Sequence, residues 1–203
     1  MATICIFGDS ITWGAVDPQG GGWATRLRNF FESQELRVDQ DIDVYNLGVS
    51  GDNSDDLIKR FNMEMNARKP DVVLFAIGIN DSQFIISKNQ NRVSLEKFKS
   101  NLEKMIQDAK GTSANVILIG LTCVDESKTS PVPWNTDKRY SNIDIEKYDA
   151  AIQAIAEKEN HSYIDMSGVL STNDLEDGLH PNTEGHTKLF EVVKKQLIYM
   201  LRQ

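Results

Sequence analysis

A serine hydroxyl is a weak nucleophile until a base removes its proton. The apolar run Ile4–Phe7 stops abruptly at Gly8-Asp9-Ser10, within the string GDSITWG, and so holds a serine at the end of a candidate strand. Three histidines could serve it as a base. His161 begins the fifth strand candidate, at the edge opposite the strand ends, and is expected on the surface. His186 sits inside the last helical pattern and is expected to be packed or exposed. His180 differs: Asp177 precedes it by three residues and Pro181 follows it. That spacing on a helical turn would set the two side chains side by side, and Pro181 disfavours helical geometry at His180, freeing the ring to turn away. An aspartate against one ring nitrogen fixes the tautomer and stabilises the imidazolium, which leaves the other nitrogen to work on serine.

Acyl transfer also needs donors for the oxyanion that develops on the attacked carbonyl. The loop Asn46-Leu47-Gly48-Val49-Ser50-Gly51 offers the N–H of Gly48, where the missing side chain would let a ligand approach. Gly78-Ile79-Asn80-Asp81 offers the Asn80 amide, a donor that does not titrate. The N–H of Ser10 completes the set. Each has a plainer alternative as a turn glycine or a capping asparagine. Asp9 reads as a brace or helix cap rather than a participant.

These residues need elements to hold them. Short apolar runs at Ala2–Phe7, Val44–Leu47, Val72–Ile77, Val116–Gly120 and Ser162–Ile164 predict five strands, several continuous enough to be buried on both faces of a parallel sheet. Between them lie helical stripes: Trp23, Leu27, Phe30, Phe31; then Leu57, Phe61, Met65; then Phe98, Leu102, Met105, Ile106, Ala109 behind a cap at Ser94. Tyr148, Ile152 and Ile155 follow, and a last stripe runs from about Asn182 through Leu189, Val193 and Leu197 to Leu201. Five-fold strand–helix alternation predicts an α/β fold with a single domain over 1–203. In such sheets ligands sit beyond the carboxyl ends of the strands, where nearly every polar, glycine-flanked cluster falls. With strand order 2-1-3-4-5, the first and fifth strands are roughly 14 Å apart at ~4.8 Å per step. The connection 166–176 could stretch to about 36 Å, so His180 can reach Ser10. The stretch Thr122–Asp137, with Pro131, Pro133 and Trp134, predicts a long irregular loop able to act as a lid.

Composition sets outer limits. With 203 residues, 40% apolar, 26% charged and net charge −8, the chain has the makings of a globular core and no basic patch for nucleic acid. No leader or membrane span is visible, which predicts a cytoplasmic protein. Cys5 and Cys123 sit in apolar settings and read as small buried hydrophobes, with neither disulfide framework nor metal spacing.

Taken in order, Gly8-Asp9-Ser10, Gly48, Gly78-x-Asn80-Asp81 and Asp177-x-x-His180-Pro181 resemble the four blocks of the SGNH hydrolases, also called GDSL esterases/lipases, over nearly the whole chain. Thr12 and Gly14 fit the longer first block; Ile11 stands where that family usually has leucine. The resemblance implies a flavodoxin-like three-layer α/β/α sandwich and ester hydrolysis through an acyl-enzyme; the residues themselves predict neither cofactor nor metal. It implies Ser10 as nucleophile, His180 as base, Asp177 as its orienting acid, and an oxyanion hole from Ser10, Gly48 and Asn80. The substrate is expected to be a small-molecule ester of short acyl chain, acetyl foremost, with Trp13, Phe84, Trp134 and Tyr140 placed to line a pocket. A thioesterase or lysophospholipase with the same triad is the neighbouring alternative. A non-catalytic module holding a small anion is a further one, and phosphoryl transfer lacks its phosphate-binding loop.

Overall fold

The computed structural model describes residues 2–33 and 42–201. In chain order its elements are β1 (Ala2–Gly8), α1 (Ser10–Trp13), α2 (Gly22–Glu32), β2 (Ile42–Gly48), α3 (Ser54–Arg68), β3 (Val72–Ala76), α4 (Ile79–Ser82), β4 (Phe84–Ile85), β5 (Gln90–Asn91), α5 (Leu95–Lys110), β6 (Asn115–Ile119), α6 (Glu126–Thr129), β7 (Lys138–Arg139), α7 (Asn142–Glu159), β8 (Ser162–Ile164) and α8 (Thr183–Leu201). Five parallel strands form the main sheet in the order β2-β1-β3-β6-β8. These are the five strands expected from sequence, in the order 2-1-3-4-5.

Alternation along each strand explains why the runs are continuously apolar. Cys5 and Phe7, Val73 and Phe75, and Val116 and Leu118 face one side, where α3, α5 and α7 bury Phe61, Phe98 and Tyr148. Ile4 and Ile6, Val72 and Leu74, and Ile117 and Ile119 face the other, under α2 and α8 with Trp23, Leu27, Leu189 and Val193. A three-layer α/β/α sandwich results. Phe61 stands edge-on to Phe7, ring centroids 4.8 Å apart, and truncating such a fully buried ring to alanine costs about 3–5 kcal/mol. Ser94 caps α5 as the spacing predicted, its side chain accepting from the N–H of Lys97, and Asn53 and Ser141 do the same for α3 and α7.

Two features depart from expectation. A second, three-stranded antiparallel sheet, β5-β4-β7, lies outside the main one. The segment Thr122–Asp137 is not one irregular loop: it contains α6, and Val124 and Val132 are buried with Ile79, Tyr140, Ile145 and Leu179 in a third apolar cluster. No helix among the described residues is long and apolar enough to cross a membrane.

Candidate active site

Strand β1 ends at Gly8, and Asp9 turns the chain into α1. The Asp9 side chain caps that helix by accepting from the N–H of Ile11 at 2.9 Å, the bracing role expected for it. Burial pushes its carboxyl up to about 6, against the pull of the Ile11 N–H and of nearby His180. Ser10, the first residue of α1, is buried apart from its exposed edge.

The other half of the site arrives 170 residues later, with Ser10 Oγ 2.9 Å from His180 Nε2. His180 Nδ1 lies 2.7 Å from Asp177 Oδ2. A carboxylate only accepts, so Nδ1 carries the proton and the serine hydroxyl donates to Nε2. Burial alone would raise the Asp177 carboxyl, but the His180 ring and the N–H groups of His180 and Leu179 overcome it and hold it down to about 2. The pairing is not made on a helical turn. Asp177–His180 form an irregular loop, closed by the bridge between Leu175 and Pro181 and by the Glu176 N–H donating to the His180 carbonyl at 2.9 Å. Asp177 Oδ1 accepts from Leu179 and His180 N–H, so the acid organises the backbone as well as the ring.

Beside Ser10 and His180 opens a cleft of about 400 Å³, lined also by Gly51, Asn80, Gln83 and Tyr140. Asn80 is buried in α4, where its Nδ2 donates to the Asp52 carbonyl at 2.9 Å and its Oδ1 accepts from the Tyr140 hydroxyl at 2.7 Å. With the oxygen fixed by Tyr140, the second N–H of the amide is left to point elsewhere. Below it Asp81 is fully buried and takes both the N–H and the hydroxyl of Ser54; burial nevertheless pushes its carboxyl up to about 7.

The expectation for Gly48 is corrected. Its N–H donates to Asn46 Oδ1 at 3.0 Å, and a Cβ built there would sit 2.3 Å from the backbone nitrogen of Trp13. Gly48 is therefore a close-packing residue between β2 and α1. The glycine that reaches the cleft is Gly51, with φ +84° and nothing within 4 Å of where a Cβ would lie. Its loop is pinned by Arg60, whose Nε donates to Asp52 Oδ2 at 2.8 Å and whose terminal nitrogen reaches the Leu47 carbonyl at 2.9 Å.

Of the aromatic residues expected to line the site, Trp134 borders the cleft, 6.4 Å from the His180 ring between centroids, and Tyr140 forms part of its wall. Trp13 and Phe84 do not line it. Trp13 is 57% exposed, and Phe84 lies under the Arg139 guanidinium at 4.4 Å. His161 is half-buried at the far edge, and His186 is fully buried, bridging the Trp23 N–H and the Ala15 carbonyl. Burial pushes the Cys5 thiol up to about 12 and also raises Cys123, so neither competes as a nucleophile. Among the described residues no cluster of three or more His, Cys, Asp or Glu side chains is placed to hold a metal ion.

Known proteins resemble this chain along nearly its whole length. The model of the GDSL-like Lipase/Acylhydrolase family matches residues 6–188. An arylesterase from Vibrio mimicus is 27% identical, over 96% of this chain and 88% of that protein. An acetylxylan esterase from Geobacillus stearothermophilus is 26% identical, over 96% and 93%. The crystal structure of a lipase/acylhydrolase from Enterococcus faecalis superposes with a TM-score of 0.78 at 26% identity, covering 97% of this chain and 95% of that one. A match of this extent, over a chain whose serine meets a histidine–aspartate pair, makes this protein an ester-cleaving hydrolase and a member of the GDSL-like Lipase/Acylhydrolase family.

Proposed function

We propose that the protein is a serine esterase acting as one domain over 1–203, which hydrolyses small carboxylic esters of short acyl chain through an acyl-enzyme on Ser10. The observation that carries this reading is the unbroken contact from Ser10 Oγ through His180 to Asp177. His180 Nε2 takes the hydroxyl proton as Ser10 Oγ attacks the ester carbonyl, and Asp177 stabilises the imidazolium. The N–H groups of Ser10 and Gly51 and the free amide hydrogen of Asn80 receive the oxyanion. His180 then gives its proton to the departing alcohol; water, activated by the same nitrogen, releases the acid and regenerates serine.

An open cleft of about 400 Å³ bounded by Tyr140, Leu179 and Trp134 has room for a short acyl group together with its alcohol portion, and the arylesterase and acetylxylan esterase named above are relatives with small leaving or acyl groups in their names. Ser10→Ala should abolish turnover of 4-nitrophenyl acetate, with kcat reduced by roughly 10⁴-fold or more. It should also abolish labelling by a fluorophosphonate. Full hydrolysis by the variant would refute the mechanism, and a chain-length optimum at eight carbons or more would refute the short acyl group.

A further inference from the structure

The cleft wall is charged against the grain of the molecule. The chain has 30 acidic residues against 22 basic, yet the side chains lining the cleft include Arg92 and Lys138 and no carboxylate. The second sheet brings these two together. Arg92 follows β5, its N–H donating to the Gln83 carbonyl at 2.7 Å, and Lys138 begins β7, opposite Ile85 of β4. Neither cation is consumed by the fold. One terminal nitrogen of Arg92 donates to Asp56 at 3.3 Å, across a half-exposed pair that Asp56 shares with Lys59, and the other donors of the guanidinium remain. Lys138 takes part in no ion pair among the described residues, and its neighbour Asp137 is turned onto the N–H and hydroxyl of Ser87.

A second observation at the same wall points to a ligand. Gln83 is 3% exposed, lines the cleft, and its side-chain oxygen is buried with no hydrogen-bond partner. A buried acceptor left without a donor is costly, and a small rotation of the Gln83 amide toward the cleft would let a hydroxyl or N–H of a bound molecule satisfy it. Lys138 also follows Trp134 on the segment that borders His180, the group that protonates the departing alcohol in the proposed reaction.

We propose that the β5-β4-β7 sheet selects esters whose alcohol portion carries an anionic group, a carboxylate or a phosphate, held by Arg92 and Lys138 beside a hydroxyl or N–H that donates to Gln83. This deepens the serine-esterase reading and rests on it for the reaction, not for the binding. Cations lining the cleft give an anionic ester both selectivity and faster capture, and both weaken with salt.

The test compares 4-acetoxybenzoate and 4-acetoxyphenyl phosphate with neutral methyl 4-acetoxybenzoate in wild type and in Arg92→Gln/Lys138→Gln. Intrinsic reactivity cancels when the anionic-to-neutral ratio of kcat/KM is compared between proteins. That ratio should fall about tenfold or more in the double variant, chiefly through KM, and should fall with added salt in wild type. A drop for one anion alone identifies which of the two is read; an unchanged ratio for both overturns the proposal. Binding of 4-hydroxybenzoate and phenyl phosphate to Ser10→Ala protein, followed by calorimetry, needs no turnover. If wild type hydrolyses no ester, the serine mechanism fails, and calorimetry still judges this inference: anions bound no more weakly after removal of both cations would sink it.

Discussion

At the scale of single residues, the site depends on groups that hold other groups. Tyr140 donates to Asn80 Oδ1 and thereby decides which end of that amide is a donor toward the cleft. Asn80→Ala should lower kcat by about 10²–10³ with folding intact, as loss of one oxyanion donor does elsewhere. Tyr140→Phe keeps the amide but frees its orientation, so kcat should fall by a smaller factor, on the order of ten, with KM little changed. Steady-state kinetics on 4-nitrophenyl acetate checks both, and a Tyr140→Phe loss as large as that of Asn80→Ala would mean that Tyr140 does more than position. The contact from Ser10 through His180 to Asp177 was legible in sequence because a serine after a strand and a DxxHP string are local. The glycine that reaches the cleft was not: Gly48 and Gly51 share one loop, and what separates them is the Asn46 side chain, which takes the Gly48 N–H. No spacing rule announces such a competitor. Tyr140 was legible as a candidate pocket aromatic, but not its bond to Asn80, 60 residues away, and nothing near Gln83 in sequence marks its side-chain oxygen as buried without a partner.

At the scale of elements, α1 and β2 are in backbone contact at Gly48, and the Asn46 side chain stitches them further by donating to the Thr12 carbonyl at 2.9 Å. A methyl group at residue 48 must push apart backbone atoms that cannot yield by a rotamer change. Gly48→Ala should therefore destabilise the fold by about 2–4 kcal/mol, whereas Gly51→Ala meets open space and pays only for its left-handed backbone, about 1–2 kcal/mol. Chemical denaturation of the two variants distinguishes them; equal midpoints would count against the packing role of Gly48. The main strands could be read from sequence because both faces are covered, which writes them as unbroken apolar runs. The two-residue strands β4, β5 and β7 carry no such period, and the order inside Thr122–Asp137 comes from Val124 and Val132 being buried by distant neighbours.

At the scale of the whole molecule, burial of carboxyls gives stability an unusual dependence on pH. Asp81 is raised from its ordinary 3.8 to about 7. Between those values the folded protein keeps a proton that the unfolded chain releases, so this contribution is complete below about pH 4 and declines as pH rises through about 7. Asp9 acts in the same direction up to about 6, whereas Asp177, held down to about 2, adds stability that is lost only as pH falls toward that value. The melting temperature of wild type should thus fall from about pH 5 to about pH 8 by more than that of Asp81→Asn. Parallel curves would show that Asp81 is ionised throughout.

The 170 residues separating Ser10 from His180 also matter before the protein exists as a finished molecule. Translation at ~5–20 residues per second leaves Ser10, the nucleophile of the proposed reaction, without His180 for on the order of ten to thirty seconds. A nascent chain, or a product terminated early, carries the serine but has nothing to ionise it. Under the proposed mechanism, hydrolytic competence is thereby tied to synthesis of the segment that carries His180.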